Sequence, residues 1–210
     1  MKIIWGKPQS ETSETTRSKS VRDRDPSLYH FEFEANLNPS VVEGRLAAFL
    51  PMNLNSIGAA VGILYEKENF TIGNGDFTIG NRHNADVIIF DIGFRGLIGS
   101  AEKSDSFENG DVKALGFLGS VIYNIGAETL YQFPLNLELA GEIMFAPKPL
   151  CFGDAEQVTE AKVTLGLDVF GDGRGFIFIG GRYINIQLNK SSENWDASGG
   201  SVFGGFKIRF

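Results

Sequence analysis

From Tyr29 to Phe210, apolar and polar positions alternate with the two-residue period of β-strands. Tyr29, Phe31, Phe33 and Ala35 oppose His30, Glu32, Glu34 and Asn36. Val42, Gly44, Leu46 and Ala48 oppose Glu43, Arg45, Ala47 and Phe49. Ile57, Ala59, Val61, Ile63 and Tyr65 form the next apolar face, and Ile88, Phe90, Ile92 and Phe94 oppose Ile89, Asp91, Gly93 and Arg95. Leu135, Leu137, Leu139, Gly141, Ile143 and Phe145 oppose Asn136, Glu138, Ala140, Glu142 and Met144. Ala161, Val163, Leu165, Leu167 and Val169 oppose Glu160, Lys162, Thr164, Gly166 and Asp168. The last strand sets Val202, Gly204, Phe206, Ile208 and Phe210 against Ser201, Phe203, Gly205, Lys207 and Arg209.

Three segments fit less simply. In 69–80 the phase of Phe70 and Ile72 disagrees with that of Phe77 and Ile79, which predicts a bulge at Gly73-Asn74-Gly75. In 174–189, Arg182 shares a face with Phe176 and Phe178, whereas Ile184, Ile186 and Leu188 need the opposite face from Asn185 and Gln187, which predicts a second bulge near Arg182-Tyr183. In 111–124 the best phase puts Leu115, Phe117, Val121 and Tyr123 outward and leaves Leu118 and Ile122 inward.

An apolar face opposite a charged one, strand after strand, predicts an all-β fold: an antiparallel up-and-down transmembrane β-barrel of about ten strands. Eight is the alternative, if the first hairpin or 69–80 is irregular. The apolar face meets lipid and the polar face lines the lumen. The connections point the same way. The polar stretches 100–111, 147–156 and 189–200 alternate with short ones at 124–128 and 171–174, as expected when long loops face outside and short turns face the periplasm.

Composition narrows the reading. The 210 residues suit one domain, read as a barrel over 29–210 behind a polar, disordered segment over 1–28. No run of eighteen apolar residues exists, so a transmembrane helix is excluded. The net charge of −7 leaves no basic footprint for nucleic acid. Cys151 is the single cysteine, so an internal disulfide and a cysteine metal cluster are both excluded, and it reads as an incidental loop thiol. The N-terminal segment lacks the apolar core of a signal peptide, so the signal of an exported barrel would have to lie outside this sequence or be lost through a misassigned start.

The inward set supplies the candidate chemistry. It contains Glu32, Glu34, Glu43, Asp91, Glu138, Glu142, Glu160 and Asp168, and with them Arg45, Arg95, Lys162, Arg182, Lys207 and Arg209. Both signs occur in comparable numbers. Unpaired charges in a narrow low-dielectric lumen are costly, so these groups are expected to pair and fill the interior. Neighbouring strands suggest Glu138 or Glu142 with Lys162, and Asp168 or Glu43 with a lumenal arginine.

Catalysis finds little support. His30 and His83 both lie toward the predicted periplasmic side, away from the external loops. Asp154, Glu156 and Glu160 lack a characteristic metal spacing, and the Gly-rich GNGDFTIG and GDGRGF have no helix to follow them as a phosphate loop would. We therefore expect no enzyme, no cofactor and no metal.

The closing alternation, with Phe206, Ile208 and Phe210 on its apolar face, resembles the signal that outer-membrane barrels present to their assembly machinery, although Phe203 stands where that signal usually has a polar residue. EIMFAPKPLCFGDAEQVTEAKVTLGLDVF, GFIFIGGRYINIQL and the terminal GGFKIRF resemble the YfaZ family of Gram-negative outer-membrane proteins. The similar parts are the F-A-P segment, the F-G-D-A-E turn, the G-x-R-Y-I segment and the closing strand. The earlier VEGRLAAFLPMNLNSIGAAVGILYE also fits the family's opening strands, so the resemblance spans the proposed barrel. It implies an exported barrel in the bacterial outer membrane and no defined activity. The expected partners are outer-membrane lipid and the assembly machinery, with the chain as a monomer. Three readings follow: a mostly closed barrel with a structural or interaction role, a narrow porin-like channel for small solutes, and a soluble barrel binding an apolar ligand. The third would turn Phe31, Ile92, Leu137, Val163 and Phe206 inward.

Overall fold

The alternation closes into a ring. The computed structural model describes residues 31–52, 55–67, 69–82, 87–102, 109–126, 136–190 and 193–210. The proposed segment 1–28, Tyr29, His30, His83 and Leu135 lie outside the described residues. The strands are β1 (Phe31–Leu37), β2 (Val41–Met52), β3 (Asn55–Glu66), β4 (Phe70–Gly80), β5 (Ile88–Glu102), β6 (Asn109–Ile125), β7 (Leu137–Ala146), β8 (Cys151–Gly153), β9 (Ala155–Asp168), β10 (Gly175–Lys190) and β11 (Glu193–Arg209). Ten of them form the wall, each antiparallel to the next, with β7 pairing β9 directly. The ring closes where β11 meets β1, from Glu32↔Arg209 to Leu37↔Gly204. Reciprocal backbone bonds between Phe31 and Phe210, at 3.3 and 2.9 Å, seal the end of that seam. The short β8 follows a 3-10 turn at Lys148–Leu150 and extends the wall beyond β7 by pairing with Val112–Ala114 of β6.

We call the end carrying Phe31 and Phe210 the lower end and the opposite end the upper. The paired charges of the lumen lie on the lower half, among apolar Ile89, Ile122, Phe176, Phe178 and Phe203, and inward positions on the upper half are mostly apolar. The change falls between consecutive inward positions on five strands: Glu43 below Val41, Arg95 below Leu97, Glu142 below Met144, Glu160 below Val158, and Arg182 below Ile184. On β4, Asp76 lies below Ile72 with Asn74 between them. The upper residues join Leu64, Phe70, Val112, Ile186 and Leu188 in one apolar cluster, with Trp195 and Cys151 packed against it.

That change of lining removes both predicted bulges. β4 keeps one register with β3 from Glu66↔Phe70 to Ser56↔Gly80, and one register with β5. β10 keeps one register with β11 throughout, and its shift against β9 lies between Gln187 and Leu188, not at Arg182-Tyr183. Phe70 and Ile72 fall out of phase with Phe77 and Ile79 because the first two pack inside the barrel and the last two face outward. Ile184, Ile186 and Leu188 are inside for the same reason. Leu118 and Ile122 point inward as expected.

The predicted long-short order of connections does not hold. Residues 100–102 and 109–111 are strand, with 103–108 outside the described residues, and all described residues of 189–200 are strand, because β5, β6, β10 and β11 run on past the other strands. β6 continues through Asn124 and Ile125, so part of the supposedly short 124–128 is strand, and the next described strand, β7, begins only at Leu137. Where these stretches are described, their polar residues such as Asp111, Asn189, Asp196 and Ser198 lie on the outer side of an extended wall. Sidedness therefore draws no support from loop length.

Candidate functional site

The lumen is the site. Each of its charges sits at an inward position of a strand whose outward neighbours are apolar, so the alternation itself delivers it there. In the middle level Arg95 places Nε 2.7 Å from Asp76 Oδ1, Nη2 2.8 Å from Glu142 Oε1 and Nη1 2.9 Å from Glu160 Oε2. Arg45 reaches Asp76 at 2.7 Å and Glu142 at 3.7 Å. Arg182 bridges Glu160 and Glu43, and Lys162 bridges Glu43 and Glu34. Lys207 lies 4.0 Å from Glu34 and 2.7 Å from Glu138. Arg209 joins Glu138 to Glu32, each at 2.8 Å. From Arg45 to Glu32 cation and carboxylate alternate without a like-charge step, which is the arrangement that lets charges sit out of bulk water. Arginine's planar fork suits the three-way bridges on Arg95 better than an ammonium would.

Of the charges expected to pair in the lumen, Glu43, Arg45, Arg95, Glu138, Glu142, Glu160, Lys162, Arg182, Lys207 and Arg209 are thus brought together. Two members act elsewhere. Asp91 pairs with Arg82 of the β4–β5 connection at 2.8 Å, and Arg82 stacks on Phe49 with 4.1 Å to the ring centre. Asp168 accepts the backbone N–H groups of Phe170, Gly171 and Gly173, which fixes the β9–β10 turn. Gly171 and Gly173 adopt φ of 76° and 80° there, a region that disfavours side chains.

The expected pairing of Glu138 or Glu142 with Lys162 is also corrected. Glu142 and Lys162 are register partners on β7 and β9, yet the lysine extends across the lumen to Glu34 and Glu43 while Arg45 and Arg95 take Glu142. A lumen this narrow brings opposite walls within reach of a long side chain. Partner choice is then made across the barrel as well as along the sheet.

Sequence reasoning missed Asp76, Arg82 and the bridging role of Asn36. Asp76 was hidden by the presumed bulge, although its alternation with Phe77 and Ile79 already marks it as inward. Asn36 is 1% exposed and donates through Nδ2 to Glu34 and Glu43, the two carboxylates that share Lys162. Arg82 lies in a connection, where no periodicity could signal it.

Phe203, the residue at odds with the terminal signal, points inward. Its ring meets Phe178 edge-on at 6.4 Å and lies under Lys162 and Arg182, at 5.6 and 5.8 Å. Arg209 covers Phe176 at 4.8 Å. These rings fill the lumen and still offer cations a favourable face. A Cβ at inward Gly180 would fall 2.8 Å from the Phe203 ring, so that glycine makes room for it.

Between the charges remains a cavity of about 50 Å³, lined by Glu32, Arg45, Asp76, Glu142, Lys162 and Lys207 among others. That is room for a few water molecules, since one needs about 10–15 Å³ of such space. Arg45 Nε and Asn36 Oδ1 lack protein partners, and such groups are ordinarily met by buried water.

Phe31, Ile92, Leu137, Val163 and Phe206 all lie on the outer side of the wall, opposite to what a soluble ligand-binding barrel requires. Phe206, Ile208 and Phe210 occupy the outer face of the closing strand at the lower end. The three carboxylates considered for a metal do not converge: Asp154 accepts from the Asp111 backbone N–H, Glu156 pairs with Lys148, and Glu160 faces the lumen. Hydrogen bonds from Lys148 and Asn189 hold Glu156 below the usual carboxylate range, and partial burial pushes the Cys151 thiol up.

Fold and lumen together define a small closed ten-strand β-barrel with an interior of paired charges. A scan of protein-family models and a search of curated proteins return no match to the chain.

Proposed function

We propose that the chain is a membrane-spanning barrel of the Gram-negative outer membrane, monomeric and closed by its own charges. Its role is then structural or interactive rather than catalytic. The observation that carries this reading is the outer surface. Val202, Ile92, Ile179 and Val61 are 79, 71, 65 and 62% exposed, and comparable residues ring the whole lower wall. Monomers in water keep contiguous apolar patches to a few hundred Å². A continuous belt around a charged lumen fits lipid outside and polar groups within.

On this reading the partners are membrane lipid and, during insertion, an assembly machinery that reads Phe206, Ile208 and Phe210. The YfaZ resemblance belongs to the same proposal. A narrow channel for small solutes is the second reading, favoured by the water-sized cavity among the charges. The first test is detergent dependence together with gel mobility before and after boiling. We expect a detergent-requiring barrel whose mobility shifts on heating. A protein monodisperse without detergent, with unchanged mobility, would sink the membrane reading.

A further inference from the structure

We propose that the bilayer covers only the lower part of the wall, and that the upper part stands clear of it as a water-exposed collar. This rests on the membrane reading above and specifies where lipid ends. β6 and β11 each run for 17 residues, whereas a tilted strand crosses a bilayer in about 9–11. Outward positions stay apolar from Leu115 to Ile125 on β6 and from Val202 to Phe210 on β11, lengths that match one crossing.

Above those limits the outer surface changes. Thr159, Asn185 and Ser198 are register partners on three adjacent strands and form one outward polar row. On β6 the next outward positions above Leu115 are Lys113 and Asp111, an ion pair with both side chains about half exposed. Charged groups on the lipid face cost about 2–4 kcal/mol at mid-depth for a cation, and much less near the interface. Lipid is therefore favoured only below them. Tyr65 and Tyr183, 47 and 52% exposed, stand at the upper limit of the apolar belt, where an amphipathic ring suits the interface.

The interior changes over the same stretch of strand. A wall in water needs an apolar core to hold it, and the apolar cluster begins where the lumen charges stop. The collar also keeps its own edge in order. β1 ends its pairing at Leu37↔Gly204, and beyond it the free side of β11 is met by Asn38 Nδ2 on Val202 O at 3.0 Å and by Asn69 Nδ2 on Ser198 O at 3.3 Å. Exposed Ile98 and Phe152 flank Lys113, so the outer face turns polar chiefly on β9, β10 and β11. Polar there, mostly apolar inside and capped along its edge, the upper wall is built to stand in water above a membrane-spanning part.

The test places single cysteines at Ile179, Val202, Asn185 and Ser198 in a Cys151→Ser background, labels each with an environment-sensitive fluorophore, and reconstitutes the full chain in phosphatidylcholine vesicles. The mobility shift on boiling confirms that each variant is folded, with Ile177→Cys replacing Ile179→Cys if that one fails. Probes at Ile179 and Val202 should lose fluorescence to a lipid-borne quencher and resist iodide. Probes at Asn185 and Ser198 should do the reverse. If the lipid-borne quencher reaches all four, the collar is refuted while the membrane reading stands. If it reaches none, both fall.

Discussion

Replacing Arg95 by methionine removes the cation on which three carboxylates converge. Arg95 is 3% exposed, and its fork spans Asp76, Glu142 and Glu160 at 2.7–2.9 Å. Methionine retains much of the stem's volume and removes the charge. Asp76 would keep Arg45 at 2.7 Å, Glu160 would keep Arg182 at 3.1 Å, and Glu142 would be left with Arg45 at 3.7 Å. Breaking a buried pair from one side costs about 3–5 kcal/mol. Two of the three acids retain a close partner and the third borders the cavity, so we expect the lower end, about 3 kcal/mol. Arg95→Lys keeps the charge but cannot reach three acids on separate strands, and should fall between Met and the parent. Adding Glu160→Gln to Arg95→Met should recover part of the loss, the coupling expected of residues in one network. Urea unfolding of the reconstituted barrel, followed by fluorescence of Trp195 against the apolar cluster, measures all four. If Arg95→Met stays within about 1 kcal/mol of the parent, the range of exposed ion pairs, the network is not the structural element argued for here.

On the lipid face, Leu165→Arg should cost about 2–4 kcal/mol or block insertion, whereas Asn185→Arg on the collar should be tolerated; equal folding yields in vesicles would contradict the belt. In a planar bilayer the purified barrel should pass little current, because rings, paired charges and the apolar cluster occupy the lumen in succession; steady nanosiemens-scale openings would promote the channel reading. Cys151 is half-buried against the apolar cluster, and burial raises its pKa, so less thiolate is present near neutral pH than for a free cysteine. An impermeant maleimide should label it slowly on intact cells, faster as pH rises and fastest after unfolding; labelling only after the outer membrane is opened would reverse the sidedness.

Most of the wall can be read from the residues, because one rule governs it. Wherever a strand stays within the belt, as at Ile88–Phe94 or Leu137–Phe145, period-two alternation puts each side chain on its observed face. The rule stops working where a strand leaves the belt. Between Ile72 and Phe77, and again between Ile179 and Ile184, apolar residues change faces because their surroundings change. A local reading must then invent a bulge. The same error hid Asp76 and turned the polar ends of β5, β6, β10 and β11 into loops. Pairing partners were less legible still, since Lys162 and Glu34 are 128 residues apart and meet only once the ring has closed.

The two linings of the lumen answer a single constraint. Inside the belt the wall gains its stability against lipid from the outer face, and the interior need only avoid unpaired charge; alternating ion pairs from Arg45 to Glu32 meet that requirement and add little more. Above the belt the outer face is mixed, with Lys113 between exposed Ile98 and Phe152 and a polar row on β9 to β11, and contributes less of that term. The interior must therefore hold the strands together by burial, at roughly 1.5–3 kcal/mol for each fully buried large apolar side chain. Phe70, Ile72, Ile184, Ile186 and Leu188 are each 1–2% exposed or less, where the charged residues below them leave a water-sized gap. It follows that the two halves should respond differently to the same kind of change. Ile186→Ala opens a hole in a dry cluster and should cost about 2–5 kcal/mol, loosening the upper strands, whose faster hydrogen exchange would report it. Thr164→Ala, beside the water-sized cavity below, should change stability and exchange far less. Comparable losses from both would mean that the lower lumen is packed as tightly as the upper, and that the division of labour between pairing and burial is wrong.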